Sequence, residues 1–167
     1  GLVAQLLPRA ALYGIEARDI TEVHGADVLS EATGIIGESE ANAAALFGTA
    51  LTLYSTEGSS LALRTMLALA LSRAPRIPGE RPLLLAARNA HKSLLYAAAL
   101  LDFDIAWIYP EDTALDSVCS CHPSPDSVRA ALRALPRPPF AVFLTSPDYL
   151  GFLADIQGIV TAVDACC

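Results

Sequence analysis

Three short segments of the chain carry residue types that could do chemistry. In Glu57-Gly58-Ser59-Ser60, glycine lets the backbone approach a ligand closely and two hydroxyls can donate. The N–H groups of a helix start favour an anion, so Gly58, Ser59 and Ser60 make a candidate phosphate cradle. An ordinary helix N-cap with a helpful glycine is the other reading of the same residues. In Arg88-Asn89-Ala90-His91-Lys92-Ser93, His91 could stack on a flat cofactor, or simply cap a helix and face water. In Thr145-Ser146-Pro147-Asp148-Tyr149-Leu150-Gly151, the proline and the last glycine enforce a tight turn. The hydroxyls of Thr145 and Ser146 could reach a ligand or only satisfy the turn's own backbone. A fourth segment, Cys119-Ser120-Cys121-His122, holds nominal metal ligands, with Cys166 and Cys167 as the remaining cysteines. Its C-x-C-H spacing departs from the C-x₂₋₄-C of zinc sites, so no metal is expected and the segment reads as a surface loop.

Such turns need elements to hold them, and the chain supplies a rhythm of short apolar strand, turn and helix. Leu51-Thr52-Leu53-Tyr54, Leu83-Leu84-Leu85-Ala86, residues 103–109 and residues 140–144 are predicted strands. In the third, Ile105, Trp107 and Tyr109 alternate against Ala106 and Ile108. Helices are predicted over residues 61–71, 90–101, 125–135 and 155–167. The first of these is apolar on most faces, which predicts burial. Ser124-Pro125-Asp126 is a helix start by composition: Ser at the N-cap, Pro at the first helical position, Asp in the first turn. Ser30 is the expected cap of an earlier helix reaching Phe47, a helix that Gly34 and Gly37 weaken. Near-continuous apolar strands alternating with helices predict a three-layer αβα architecture around a mainly parallel sheet. In such sheets ligands collect at the carboxyl ends of the strands, and each of the three turns follows a predicted strand. Residues 1–48 read as a leading helical and loop segment, and residues 49–167 as the α/β part of a single domain.

The balance of 11 basic against 18 acidic residues, a net charge of −7, removes the electrostatic basis for nucleic-acid binding, which needs a basic face. No run of 18 uninterrupted apolar residues is present, so no membrane span is expected. The cysteine pattern is a poor disulfide framework and fits a reduced, cytoplasmic setting. The first residues, Gly1-Leu2-Val3-Ala4, lack an initiator Met and a basic leader, and read as a boundary inside a longer protein.

A strand followed by G-S-S, another by R-N-x-H-K-S and a third by T-S-P-x-Y-x-G, in this order, resembles the large domain of the Orn/Lys/Arg decarboxylases. These are pyridoxal-phosphate enzymes of the aspartate-aminotransferase fold type. Asp19-Ile20-Thr21-Glu22 and Ala45-Leu46-Phe47-Gly48 are also similar to the approach to that domain, and the resemblance covers residues 19–167. It implies that Gly58, Ser59 and Ser60 hold the cofactor phosphate and that His91 lies against its ring. Ser146 and Thr145 would approach the other side. Asp148 stands where the family more usually has Thr, and Ala90 where Cys or Val is common.

The resemblance also implies a Schiff-base lysine in an S-x-H-K motif that this sequence does not contain. The chain's lysine, Lys92, lies in the wrong turn. The ring-nitrogen aspartate is likewise expected beyond Cys167, with Asp164 read as a solvent-facing helix residue. A P-G-H-K element expected upstream is absent too, so the chain is expected to be a piece cut at both ends, inactive alone. The parent would decarboxylate a basic amino acid (ornithine, lysine or arginine) as a homo-oligomer. An aminotransferase of the same fold and a noncatalytic α/β interaction domain are the alternatives; the R-N-x-H-K-S turn argues against the first.

Overall fold

The computed structural model describes residues 25–75, 77–110 and 121–166. Residues 19–22, Cys119, Ser120 and Cys167, which figure in the expectations above, lie outside them. The chain divides into two compact units, Gly1–Thr56 and Glu57–Cys167.

In the first unit, helix α1 spans Ile35–Phe47. Its cap is not Ser30 but Asp27, whose carboxylate accepts from the N–H groups of Val28, Thr33, Gly34 and Ile36 at 2.8–3.2 Å. Those N–H groups have no partner inside the helix, so one carboxylate does the work of several caps. Gly37 is required by a close approach: a Cβ there would lie 2.1 Å from the Ala32 carbonyl oxygen. Residues 51–54 do not form the expected strand. Instead the Tyr54 N–H donates to the buried Glu40 carboxylate at 2.7 Å, and the Tyr54 hydroxyl meets Ser39. Leu51 and Leu53 are mostly exposed. The segment has β propensity, but among the described residues it takes no strand structure.

The second unit follows the predicted alternation. Its elements are α2 (Gly58–Arg73), β1 (Leu83–Ala87), α3 (Ser93–Leu101), β2 (Asp104–Ile108), α4 (Pro125–Ala134), β3 (Ala141–Phe143) and α5 (Ile156–Asp164). The strands form a parallel sheet in the order β2-β1-β3, so three of the four predicted strands exist. Alternation along them divides the side chains between two cores. Leu84, Ala86, Ile105, Trp107, Ala141 and Phe143 pack with Leu63, Leu67 and Leu71 of α2 and Leu94 and Ala97 of α3. Leu85, Ala106, Ile108 and Val142 pack with Val128 and Leu132 of α4 and Ile159 of α5. Each fully buried Leu contributes about 1.5–3 kcal/mol against the entropy of ordering the chain. The result is the three-layer αβα arrangement.

Two expectations need correction here. The helix predicted from residue 90 begins at Ser93, because Arg88 to Lys92 are taken up by a turn. And α2 is covered on one face only: Leu67 is buried, while Met66 and Leu69 are 52% and 54% exposed. The apolar composition of that helix reflects Ala and Leu content rather than burial all round.

The end of α2 lines a cleft. Leu71 and Ala74 share a cleft of about 690 Å³ with Leu83, Leu101 and Phe140, at the amino edge of the sheet. Sixteen residues rise about 24 Å, more than the roughly 17 Å of a five-residue strand. Leu63, Leu67 and Leu71 follow one another along the face that α2 lays on the sheet.

Candidate ligand site at the carboxyl edge of the sheet

At the end of β1 the Arg88 N–H still donates to the Ile108 carbonyl, 3.0 Å, so the turn begins while the chain is paired to β2. The strand alternation sends Arg88 to the α2–α3 side, where its guanidinium lies 5.2 Å from the centre of the Trp107 ring, within cation–π range. His91 follows on the exposed side of the turn. Its Nδ1 accepts from the Ser93 N–H at 3.2 Å and meets the Ser93 hydroxyl at 2.8 Å. A backbone N–H can only donate, so the neutral ring carries its proton on Nε2. His91 thus does cap the start of α3, and the residue stays exposed. Among the described residues no ring stacks on it. Lys92, the N-cap residue of α3, is exposed.

Asn89 points inward instead. Its Nδ2 donates to the Cys121 carbonyl at 3.4 Å, and its Oδ1 is buried with no hydrogen-bond partner among the described residues. Cys121 is buried, and its sulfur faces the Ile108 carbonyl at 3.4 Å. The thiol therefore packs over the end of β2 rather than joining His122 as a ligand. Among the described residues no three His, Cys, Asp or Glu side chains come together around one point.

The turn after β3 is organised around Asp148. Its backbone N–H donates to the Phe152 carbonyl at 2.9 Å, and its carbonyl accepts from Gly151 at 3.0 Å. The Oδ1 atom accepts from the N–H groups of Leu150 and Phe152, both at 2.9 Å. The Oδ2 atom meets His122 Nε2 at 3.2 Å, and the His122 ring lies on the Phe152 ring with centroids 3.9 Å apart. The Phe152 N–H holds the Asp148 carboxyl below its ordinary value, 3.8; burial opposes this, and Leu150 and His122 add to it. Ser146 Oγ accepts from the Ala154 N–H at 3.1 Å, so this hydroxyl serves its own turn and keeps its proton for another acceptor. Thr145 is half-buried beside it.

Gly58, Ser59 and Ser60 are the first turn of α2 itself, not a turn between strand and helix as expected. Gly58 has φ +65, a left-handed conformation that glycine adopts without strain. The side chain of the helix's N-cap residue, Glu57, makes no capping hydrogen bond. Arg64 sits one turn on, its Nε donating to the Ser60 carbonyl at 3.3 Å and its guanidinium paired with Glu57. Ser59 is exposed and Ser60 half-buried.

The carboxyl edge thus gathers the turns holding His91, Thr145 and Ser146. Asp164, the last residue of α5, is exposed. The His122–Asp148 pair escaped the sequence reading. Its available signal was an Asp in a tight turn, a residue type that folds nearby N–H groups onto its carboxylate. Nothing local announced the histidine.

Comparison with known proteins adds the family. The family model described as "Orn/Lys/Arg decarboxylase, major domain" matches residues 14–167. Among curated proteins, the chain is 32% identical over 144 residues to the "Uncharacterized protein YaaO" of Bacillus subtilis, covering 86% of this chain and 28% of that protein. It is 30% identical to the "Arginine decarboxylase" of Halalkalibacterium halodurans, covering 85% of this chain and 27% of that one. The "Arginine decarboxylase" of Bacillus subtilis is also 30% identical, with the same coverage of 85% and 27%. The chain therefore spans little more than a quarter of the length of these relatives.

Proposed function

The chain belongs to the Orn/Lys/Arg decarboxylase family, and from that premise we propose that it is the cofactor-binding part of a pyridoxal-phosphate-dependent decarboxylase of a basic amino acid. The names of two relatives favour arginine. The whole protein is proposed to be cytoplasmic and homo-oligomeric, as the family resemblance implies.

The observation that carries the reading is His91. It sits in the turn that ends the central strand, with Nδ1 held by Ser93 and the residue exposed. The start of α2 fits the other end of the cofactor. Gly58 there takes the left-handed conformation that glycine adopts without strain, and Ser59 stands exposed beside it.

When bound, pyridoxal phosphate supplies the electron sink that amino-acid decarboxylation needs. Gly58, Ser59 and Ser60 would hold its phosphate through N–H groups and hydroxyls, at the positive end of the helix dipole. His91 would cover one face of its ring, and the Ser146 hydroxyl, with Thr145 beside it, would close the other side. Lys92 is at the N-cap of α3, next to His91 in sequence but on an exposed position of its own. The Schiff-base lysine is proposed to come from sequence outside these 167 residues.

The chain contains one Trp, Trp107, whose fluorescence reports on this edge. Titration with pyridoxal phosphate is expected to quench it saturably. The S59A/S60A double variant should weaken both pyridoxal phosphate and inorganic phosphate binding, by about tenfold where charge-assisted hydrogen bonds are lost. His91→Ala should weaken pyridoxal phosphate alone. Saturable binding unchanged by either variant, or no binding by the unaltered chain, would remove the reading.

A further inference from the structure

We propose that His122 and Asp148 are the positioning pair of this site: the histidine clasps the loop leading into α4 onto the turn after β3 and so sets where Thr145 and Ser146 stand. The proposal rests on the reading of the carboxyl edge as the ligand site, and it concerns two residues that reading does not use.

The turn after β3 has no regular ladder to hold it. Its order comes from one buried carboxylate, which is 2% exposed at the side chain. Asp148 Oδ1 is committed to the N–H groups of Leu150 and Phe152, so its shape-giving bonds lie inside the turn. Oδ2 looks out of the turn and meets a residue 26 positions earlier, His122 Nε2. The same imidazole covers the Phe152 ring, and the Phe152 N–H and carbonyl are both bonded to Asp148. One side chain therefore grips the turn twice, by a hydrogen bond to its central carboxylate and by stacking on the residue that closes it.

The loop that carries His122 is itself anchored to the strand ends. The Cys121 carbonyl accepts from Asn89 in the turn after β1, and the Cys121 sulfur faces the carbonyl that ends β2. Through His122 these two strand ends are tied to the turn after β3. Ser146, whose Oγ is already engaged by Ala154 on the far limb of the turn, moves only if that turn opens. A carboxylate at position 148 without a donor at 122 would leave a buried charge short of a partner, which is costly; the two residues make sense together.

The test uses the unaltered chain and three variants, read by amide hydrogen exchange at Leu150 and Phe152, with pyridoxal phosphate titration and thermal unfolding alongside. His122→Phe keeps a ring for Phe152 but removes the donor. His122→Gln keeps a donor in place of Nε2 but removes the ring. Asp148→Asn keeps an acceptor for the two N–H groups.

Exchange at Leu150 and Phe152 should quicken about tenfold in His122→Phe, the size of a lost charge-assisted hydrogen bond. His122→Gln should restore most of the protection, Asp148→Asn should lie between, and exchange in β1 should stay unchanged. The half-saturating concentration of pyridoxal phosphate should rise in His122→Phe and recover in His122→Gln.

Exchange in His122→Phe equal to that of the unaltered chain would overturn the clasp, as would equal loss in the Phe and Gln variants. Faster exchange with unchanged binding would overturn the positioning role. If the unaltered chain takes up no pyridoxal phosphate, the cofactor reading and the ligand half of this proposal fall together, while the exchange data still decide the clasp.

Discussion

Asp148 and Asp27 are each a carboxylate folded into its own loop by backbone N–H groups, and both have their carboxyls held below the ordinary value of 3.8. For Asp27, burial works upward and the N–H groups of Val28, Gly34, Ile36 and Thr33 outweigh it. Such a group binds its proton more readily in the unfolded chain than in the folded one. Its stabilisation is therefore full above pH 3.8 and is lost as pH falls through the lower, folded value. Denaturant midpoints measured from pH 7 downward should stay level until about pH 4 and then drop. In Asp148→Asn the neutral-pH midpoint should be lower and the acid drop smaller. The outcome that contradicts this is an acid limb of unchanged depth in a doubly substituted Asp27→Asn, Asp148→Asn chain. Lys92 gives a second prediction at this scale. It is exposed at the N-cap of α3, whereas a lysine that serves as a nucleophile is one enclosed in an apolar pocket or set beside another cation. Incubation with pyridoxal phosphate followed by borohydride should leave little pyridoxyl adduct, and a stoichiometric, specific adduct at Lys92 would contradict the assignment of the catalytic lysine elsewhere.

Elements were legible where their determinants are local. Ser124, Pro125 and Asp126 announce α4, and the structure shows a reciprocal capping box, with Ser124 and Ser127 side chains bonded to each other's backbone N–H. Ser124→Ala should cost about 1 kcal/mol and lower the melting temperature by about 2–4 °C in a chain of this size; an unchanged melting temperature would mean that the packing of α4 on α5 sets its start. Legibility failed where an element depends on a distant partner. The cap of α1 comes from Asp27, which reaches N–H groups six to nine residues ahead, past the nearer Ser30. Residues 51–54 have a strand's composition, but a strand exists only against a neighbour, and theirs is the Glu40 carboxylate of a helix. His122 and Asp148 are separated by all of α4 and β3, so no spacing rule could join them. The turns after β1 and β3 were found from their local residues, while the contacts that hold them in place were not, and Gly58 to Ser60 proved to be the first turn of α2.

At the scale of the whole chain, the second unit covers its sheet on both faces but not its outer surfaces. The sheet ends in β2 on one side and β3 on the other, and each edge strand carries backbone groups able to pair with another chain. On α3, Leu95, Tyr96 and Leu100 are all more than half exposed, and Tyr149, Leu150 and Leu153 around the β3 turn more so. Apolar area of this kind seldom stays bare on a soluble monomer. Exposure of single leucines is ordinary; the weight lies in their grouping on one short helix and one short turn. The expected state is therefore a homodimer or larger assembly, with an interface more apolar than the remaining surface. Light scattering across a tenfold dilution should give a mass that exceeds the monomer and falls as the concentration does. Leu100→Glu, placed on the exposed face of α3, should shift that mass toward the monomer while leaving the fold intact by circular dichroism. A steady monomer mass at every concentration, without binding of a dye that reports exposed apolar surface, would show that these side chains lie against the chain itself and that the second unit needs no partner.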